Sequence, residues 1–474
     1  MIEPHRSLHL VRIAAAVQAA VLLSAPAVSQ TPTTQPGSHP APTSLSLSAA
    51  ISTALSNSKQ LKQAEIAAAK SGAGIAAAQA GFYPQLSLNA SQTHLGVPVI
   101  GRFALPGAAP LAITLSRQDQ TQAGLAVIWP IDVAGLVRAR VQSSQLQQLD
   151  ARLEINRVRN VVTASVRSAY LSMLRAQASR AVTLAARQNA QTRLATAQKF
   201  RGAGVGTQFD VLRAQTDVAN AQQADLAAQN GINLAESVLD NALGLDTNTP
   251  LTLAQAAALP KAPASFDTAL STAYRLRPEP AQADTQIALA KRGVQLARAS
   301  LAPQVSLGYT FEYTPESAGL APQDTEQAIV AQISLPVFDG WEARSKAREA
   351  HDDVQAATTA KASVMDTIAL QVKEAWLTFR NAADRLAVTH AALVEAQDQY
   401  RLAQVRFQSG ITNTPNQSPL LEVSDAQSAL TQAQTNDVTA HYDRDTALAQ
   451  LLAAEGADAW PGGERAPAAP GAAP

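Results

Sequence analysis

Residues able to do chemistry are sparse in this chain, and the ones that fall together are acidic. Glu422 and Asp425 stand three apart at the start of a long Ala/Gln-rich stretch, a spacing that puts both carboxylates on one helical face. Two carboxylates held this close favour cations and disfavour one another's charge. Asp210 takes the place of Glu422 in an earlier near-copy of the same segment, where Arg213 takes the place of Asp425. Acids at a helix start also have an ordinary use, interaction with the helix dipole. For Asp210 alone that ordinary use is the reading adopted; for the Glu422/Asp425 pair both readings stay open. Nothing else resembles a reacting group. The seven His (5, 9, 39, 94, 351, 390, 441) make no HExxH and no helical pair at metal spacing, and neither a P-loop nor a GxSxG occurs. The chain reads as no enzyme, with no cofactor and no metal, so energy for any transport must come from a partner.

The elements that carry these acids are written twice. "FYPQLSL" from Phe82 matches "LAPQVSL" from Leu301 at an offset of 219. "VRSAYL" from Val166 matches "VKEAWL" from Val372 at an offset of 206, and "DVLRAQ" from Asp210 lies over "EVSDAQ" from Glu422 at 212. Three collinear blocks make a duplication. Each half reads helix, strand, loop, strand, long helix, tight loop, helix. The helices fall at about 45–80, 134–200 and 209–243, then 266–300, 340–407 and 420–455. The domain plan is a first repeat at 45–244, an inter-repeat linker at 245–265 with Pro250, Pro260 and Pro263, a second repeat at 266–456 and a disordered Pro/Ala/Gly tail at 457–474.

A helix of about 67 residues is roughly 100 Å long, far beyond a globular helix. Two shorter helices end to end match one long one, so each half supplies two lanes of a wall. Heptads support packing along it. Ala169, Ala176, Thr183, Ala190 and Ala197 recur as Ala375, Ala382, Thr389, Ala396 and Ala403. The large residues of the second half, Val372, Phe379, Leu386, Leu393, Tyr400 and Phe407, suit knobs over Ala-lined holes. In the first half, Arg180, Arg187 and Arg201 intrude, so the two halves pack differently.

Four stretches alternate with period two: 85–93, 122–129, 305–313 and 327–335. In the third, Val305, Leu307, Tyr309, Phe311 and Tyr313 face one way; Ser306, Gly308, Thr310 and Glu312 face the other. Strands of this length can cross a bilayer when tilted. The apolar row is then the lipid-facing one. Four strands cannot close a barrel, so they must be part of an oligomeric one. Phe82, Tyr83, Trp129, Phe338 and Trp341 cluster at strand–helix junctions beside Pro84, Pro130 and Pro336, as interfacial aromatics would. The longer connections, 96–118 and 314–325, read as external loops.

Composition sets the remaining bounds. The chain has 474 residues, 16% charged, with a formal net charge of zero and no Cys. Nothing points to nucleic acid, and stability must come from packing or assembly rather than disulfides. Without Cys there is also no acylated lipoprotein anchor. Residues 1–29 read as a signal peptide: Arg6 and Arg12 precede an apolar run that ends near Ala25-Pro26-Ala27.

On "FYPQLSL", "GVGTQFDVLRAQTDVANAQQ" and "RFQSGITNTPNQSPLLEVSDAQSAL", within a duplicated helix–strand–strand–helix plan, the chain resembles the TolC-like outer membrane efflux proteins over about 45–456. The resemblance implies a mainly α fold with a small β part: a homotrimer whose α-helical barrel joins a 12-stranded transmembrane β-barrel in outer-membrane lipid. It implies the outer-membrane exit duct of a tripartite efflux pump or type I secretion system. Such a duct passes what a periplasmic adaptor and an inner-membrane transporter deliver. The tight loops would meet the adaptor through Gly204, Val205, Gly206 and Thr207, and through Gly410, Ile411 and Thr412. Glu422, Asp425 and Asp210 would lie at the periplasmic entrance, where threefold symmetry makes rings of carboxylates. The chain departs from the family at the second tip, which is about six residues longer than the first. Phe407 there lacks the hydroxyl of the gate tyrosine, so gate chemistry is not carried over to those positions. The alternative is a soluble periplasmic coiled-coil scaffold or adaptor, which should have one hairpin between small β-domains; this chain has two.

Overall fold

A computed structural model describes residues 45–104, 107, 111–247, 249–254, 260–315, 317–318, 323–409 and 419–456. The leader at 1–29, the tail at 457–474 and the second tip, including Gly410, Ile411 and Thr412, lie outside the described residues.

The described residues open with helices α1 (Leu47–Asn57) and α2 (Lys59–Gln79) and a single 3-10 turn, Ala80–Phe82. Strands β1 (Gln85–His94), β2 (Val99–Phe103), β3 (Leu111–Ser116) and β4 (Asp119–Ile131) follow. A 67-residue helix, α3 (Leu136–Gly202), turns into α4 (Gln208–Leu243). The same order then recurs: α5 (Phe266–Leu276), α6 (Glu279–Ala299), β5 (Gln304–Tyr313), β6 (Thr325–Ser334), the 68-residue α7 (Glu342–Ser409) and α8 (Pro419–Ala454).

Two expectations are corrected. The helices read as continuous over 45–80 and 266–300 are each broken in two. Ser58 is extended and caps α2, its hydroxyl accepting from Leu61 N at 3.1 Å. At the other break Arg277 is extended because it precedes Pro278, whose ring crowds an α conformation at the preceding residue. The loop at 96–118 is not irregular throughout; it holds the hairpin β2–β3.

Packing follows the small-residue heptads. Ala190, Ala197, Ala396 and Ala403 are buried, as are Val166, Met173 and Val372. The largest core joins Leu47, Ala50 and Ala54 of α1 to Val162, Tyr170 and Met173 of α3 and to Leu239 and Leu243 of α4. The Tyr170 hydroxyl lies 2.9 Å from Leu45 O and 2.5 Å from Ala254 O. Leu45 bridges Leu253, so the start of the first repeat and the linker after it are tied at one point.

In the first half the Arg intrusions have a partner. The Asp225 carboxylate, with only 7% of its side chain exposed, receives Arg187 at 2.6 Å and Arg180 at 3.7 Å. In the second half the two Arg positions become Leu386 and Leu393, and Leu393 and Tyr400 pack on Ala396, Leu430 and Ala433, while Asp437, in the Asp225 place, lies 3.5 Å from His390.

One antiparallel sheet has the order β1-β4-β5-β6, so β1 and β6 are free edges. Tyr309 lies between Val127 and Ile329, and Val127 pairs with Leu86. Phe311 lies between Leu125 and Gln327, Leu307 between Trp129 and Ala331, and Val305 between Ile131 and Ile333. Opposed residues share a face, so the apolar rows of all four strands merge into one face. The other carries Ser87, Asn89, Gln122, Thr310, Glu312, Glu326 and Gln332.

Candidate functional site at the hairpin tips and the sheet

At the first tip the chain reverses in five residues. Gly204 has φ +77°, a left-handed conformation that favours glycine. Val205 N and Gly206 N both donate to Phe200 O, at 3.1 and 3.0 Å. A Cβ on Gly206 would lie 2.9 Å from Arg201 N, so the turn needs glycine there for space. Thr207 then starts α4 with a reciprocal cap: its hydroxyl accepts from Asp210 N at 3.1 Å and its own N donates to Asp210 Oδ2 at 3.1 Å. Asp210 thus serves the helix start. The tip presents apolar side chains to solvent, Val205 at 78% and Phe209 at 68% exposure. Phe209, two residues past the Thr207 cap, is legible in the sequence only as a helix-start residue. Phe200 and Phe407 stack across the two tips with centroids 5.5 Å apart.

The acidic pair is not bare. Glu422 Oε1 accepts from Arg406 Nη1 at 2.7 Å, within the second hairpin. Asp425 Oδ1 accepts from Arg213 Nη2 at 3.1 Å, across from α8 to α4. Arg213, seen in the sequence only as the residue replacing an acid, is therefore that acid's partner. The cross-hairpin seam continues inward. The Ser424 hydroxyl donates to Asp217 Oδ2 at 2.9 Å, and Asn189 Nδ2 donates to Gln427 Oε1 at 3.4 Å. Beside this seam burial holds the Arg193 guanidinium below its ordinary pKa, partly offset by the Asp217 carboxylate.

At the opposite end of the long helices, both strand-to-helix junctions are built alike. Asp132 accepts from Val137 N and Arg138 N, each at 3.0 Å, beside Gly135 at φ +71°. Asp339 accepts from Trp341 N at 3.1 Å and Ala343 N at 2.8 Å, beside Gly340 at φ +66°. Trp341 is itself left-handed, φ +70°, which an L side chain rarely adopts. It packs edge-on to Phe338 with Arg344 over its ring. Trp129 Nε1 donates to Phe82 O at 3.0 Å. Phe82, Tyr83, Trp129, Phe338 and Trp341 are all exposed. Among the described residues no three His, Asp or Glu side chains could hold a metal, and no helix is long and apolar enough to cross a membrane.

Comparison with known proteins fits this arrangement. The outer membrane efflux protein family profile matches residues 50–245 and 269–457. The solvent efflux pump outer membrane protein SrpC of Pseudomonas putida is 28% identical over 370 residues, 72% of each chain. The CyaE protein of Bordetella pertussis is 26% identical over 315 residues, covering 66% of this chain and 64% of its own. Among solved structures, CusC superposes with a TM-score of 0.71 at 18% identity, covering 88% of this chain and 93% of its own. VceC of Vibrio cholerae gives 0.69 at 21%, covering 87% and 96%. These structures carry the fold; the family profile and the relatives carry the function. The chain belongs to the outer membrane efflux protein family, whose members are transport channels, and is a TolC-like exit duct of the outer membrane with a periplasmic extension.

Proposed function

We propose that three copies of this chain close one 12-stranded barrel and one helical tunnel, and that the seam around Arg213 and Asp425 holds the periplasmic entrance shut. The observation that carries the barrel is the sheet. It has one continuous apolar face and two unpaired edges, β1 and β6. Lipid offers no hydrogen bonds to a bare strand edge, so β1 of one copy pairs with β6 of the next until the ring closes. Val305, Leu307, Tyr309, Phe311 and Tyr313 then face lipid, and Thr310, Glu312 and Glu326 face a watery lumen. Phe82, Tyr83, Trp129, Phe338 and Trp341 sit at the headgroup level, where aromatic girdles lie.

The first tip offers Val205 and Phe209 to a periplasmic adaptor, with the Gly204–Thr207 turn holding them out. Adaptor docking draws α4 and α8 apart, parting Arg213 from Asp425 and leaving carboxylates in the opened entrance. In the open state these make rings that favour cations. The duct performs no turnover and passes what an inner-membrane pump delivers. Its relatives serve a solvent pump and pyoverdine export, chemically unrelated cargo, as expected of such a duct.

The test is fractionation and mobility. The protein should enter the outer-membrane fraction and run in detergent as an oligomer that only heating dissociates. Recovery as a monomer in the soluble periplasm would refute the barrel. For the entrance, Glu422→Ala with Asp425→Ala should weaken block of single-channel current by multivalent cations; unchanged block removes these acids from the pore.

A further inference from the structure

Past the four-stranded sheet, β1 and β4 continue as one ribbon. Leu95 N donates to Gln118 O at 2.7 Å, and beyond Pro98 the ribbon re-forms as β2–β3. There Phe103 opposes Leu111, Gly101 opposes Ile113 and Arg102 opposes Ala112. Opposed and alternate positions share a face. One face is therefore Gly101, Phe103, Leu111, Ile113 and Leu115; the other holds Ile100, Arg102, Ala112 and Thr114. Glycine at 101 lets the apolar side chains close up, since a Cβ there would lie 2.9 Å from Leu115 Cδ1 and 3.1 Å from Phe103 Cε2.

This face is unpartnered. Phe103, Leu111 and Leu115 are 46%, 49% and 47% exposed, and the hairpin is a two-stranded sheet that bonds to no other strand among the described residues. Such a ribbon is marginal in water. Its charges are one-sided: between Leu95 and Gln118 the sequence has Arg102 and Arg117 and neither Asp nor Glu. Neither Arg pairs with a carboxylate among the described residues.

We propose that the apolar face of β2–β3 lies on the outer leaflet of the membrane. Phe103, Leu111 and Leu115 enter the boundary of headgroups and acyl chains, while Arg102 and Arg117 meet phosphates of anionic lipid. The inference rests on the reading of β1 and β4 as membrane strands, which puts the hairpin at the far rim from the helices. Two arguments favour lipid over a second copy. The ribbon grows directly out of strands whose apolar face meets lipid. Hairpins gathered around a threefold axis would bring cations of one sign together, whereas an anionic surface is complementary to them.

The chain has no native Cys, so single cysteines can be spin-labelled cleanly. Phe103→Cys, Thr114→Cys and, on the sheet, Tyr309→Cys are labelled in the full-length oligomer. Each is reconstituted in vesicles of phosphatidylcholine with and without bisphosphorylated lipid A. Accessibility to oxygen, which concentrates in lipid, is compared with accessibility to a water-soluble nickel chelate. Expected are oxygen preference at 103 and 309 and chelate preference at 114, with the label at 103 moving deeper when lipid A is present. Arg102→Glu with Arg117→Glu should abolish that shift. Chelate preference at 103 means a solvated loop, and exclusion of both reagents there means a protein contact; either overturns the inference while oxygen preference at 309 leaves the barrel standing. Chelate preference at 309 would sink the barrel reading itself. A depth at 103 indifferent to lipid A overturns the phosphate contact.

Discussion

Replacing Asp425 by Ala should loosen the entrance by an amount the geometry bounds. The Arg213–Asp425 contact is 3.1 Å long, with side chains 39% and 66% exposed. Exposed ion pairs are worth about 0.2–1 kcal/mol each. Three such pairs in a threefold ring give roughly 0.6–3 kcal/mol, or about 3- to 150-fold in the ratio of open to closed entrances. Arg213 left alone remains solvated, so its orphaning adds no large desolvation cost. The pair is also open to screening, since the Debye length falls from about 10 Å at 0.1 M salt to about 3 Å at 1 M. The assay is open probability in planar bilayers at low and high salt. Expected is a higher open probability for Asp425→Ala at low salt, with the gap to wild type narrowing at 1 M. Arg213→Asp with Asp425→Arg should restore the closed state, because it rebuilds the pair with its ends exchanged. An unchanged open probability at low salt, or a swap that fails to restore closure, would refute a role for this seam.

Three other outcomes follow from the same geometry. Asp225→Ala leaves Arg180 and Arg187 facing each other without their shared anion, and should cost about 1–3 kcal/mol of thermal stability. Adding Arg180→Leu and Arg187→Leu, the residue type that the second half has at 386 and 393, should recover most of it in a melting experiment. Glu455, buried at the end of α8, has its carboxyl pushed up to about 7 by desolvation, while the nearby Arg277 is committed to Glu279 at 2.7 Å. The native state therefore binds more protons than the unfolded chain between about pH 4.5 and 7. Stability should fall as pH rises through that window, and Glu455→Gln should flatten the profile of heat-induced dissociation. On the sheet, Tyr309→Lys or Phe311→Lys should cost about 2–4 kcal/mol near mid-membrane and impair assembly, whereas Thr310→Lys on the other face should assemble normally. Equal tolerance at 309 and 310 would contradict the assignment of faces.

Much of this architecture is legible in the sequence because it is periodic. Seven-residue repeats of Ala mark the long helices, and alternation in Val305–Tyr313 marks a two-faced strand whose partners need only match it in parity. The rest is what periodicity does not encode. Pro278 is visible in the sequence, but a constant repeat offset runs straight across the break it causes. The hairpin β2–β3 was hidden by Pro98, Pro106 and Pro110, although Leu111, Ile113 and Leu115 alternate. Arg213 and Arg406 were visible residues with invisible partners, since contacts to Asp425 and Glu422 depend on how two hairpins lie side by side. The Asp225 pairing was foreshadowed by Arg180 and Arg187 interrupting an apolar heptad, where cations can stay only if an anion meets them.

The central claim is that strand edges β1 and β6 are completed by neighbouring copies. Cysteines placed in pairs, one from Ser87, Asn89 or Ser91 of β1 and one from Ala328, Val330 or Gln332 of β6, test it directly in the outer membrane. Expected is efficient oxidative cross-linking in one register, with a ladder that stops at three chains. No intermolecular product in any register, or a ladder that runs on past three, would contradict a closed trimeric barrel.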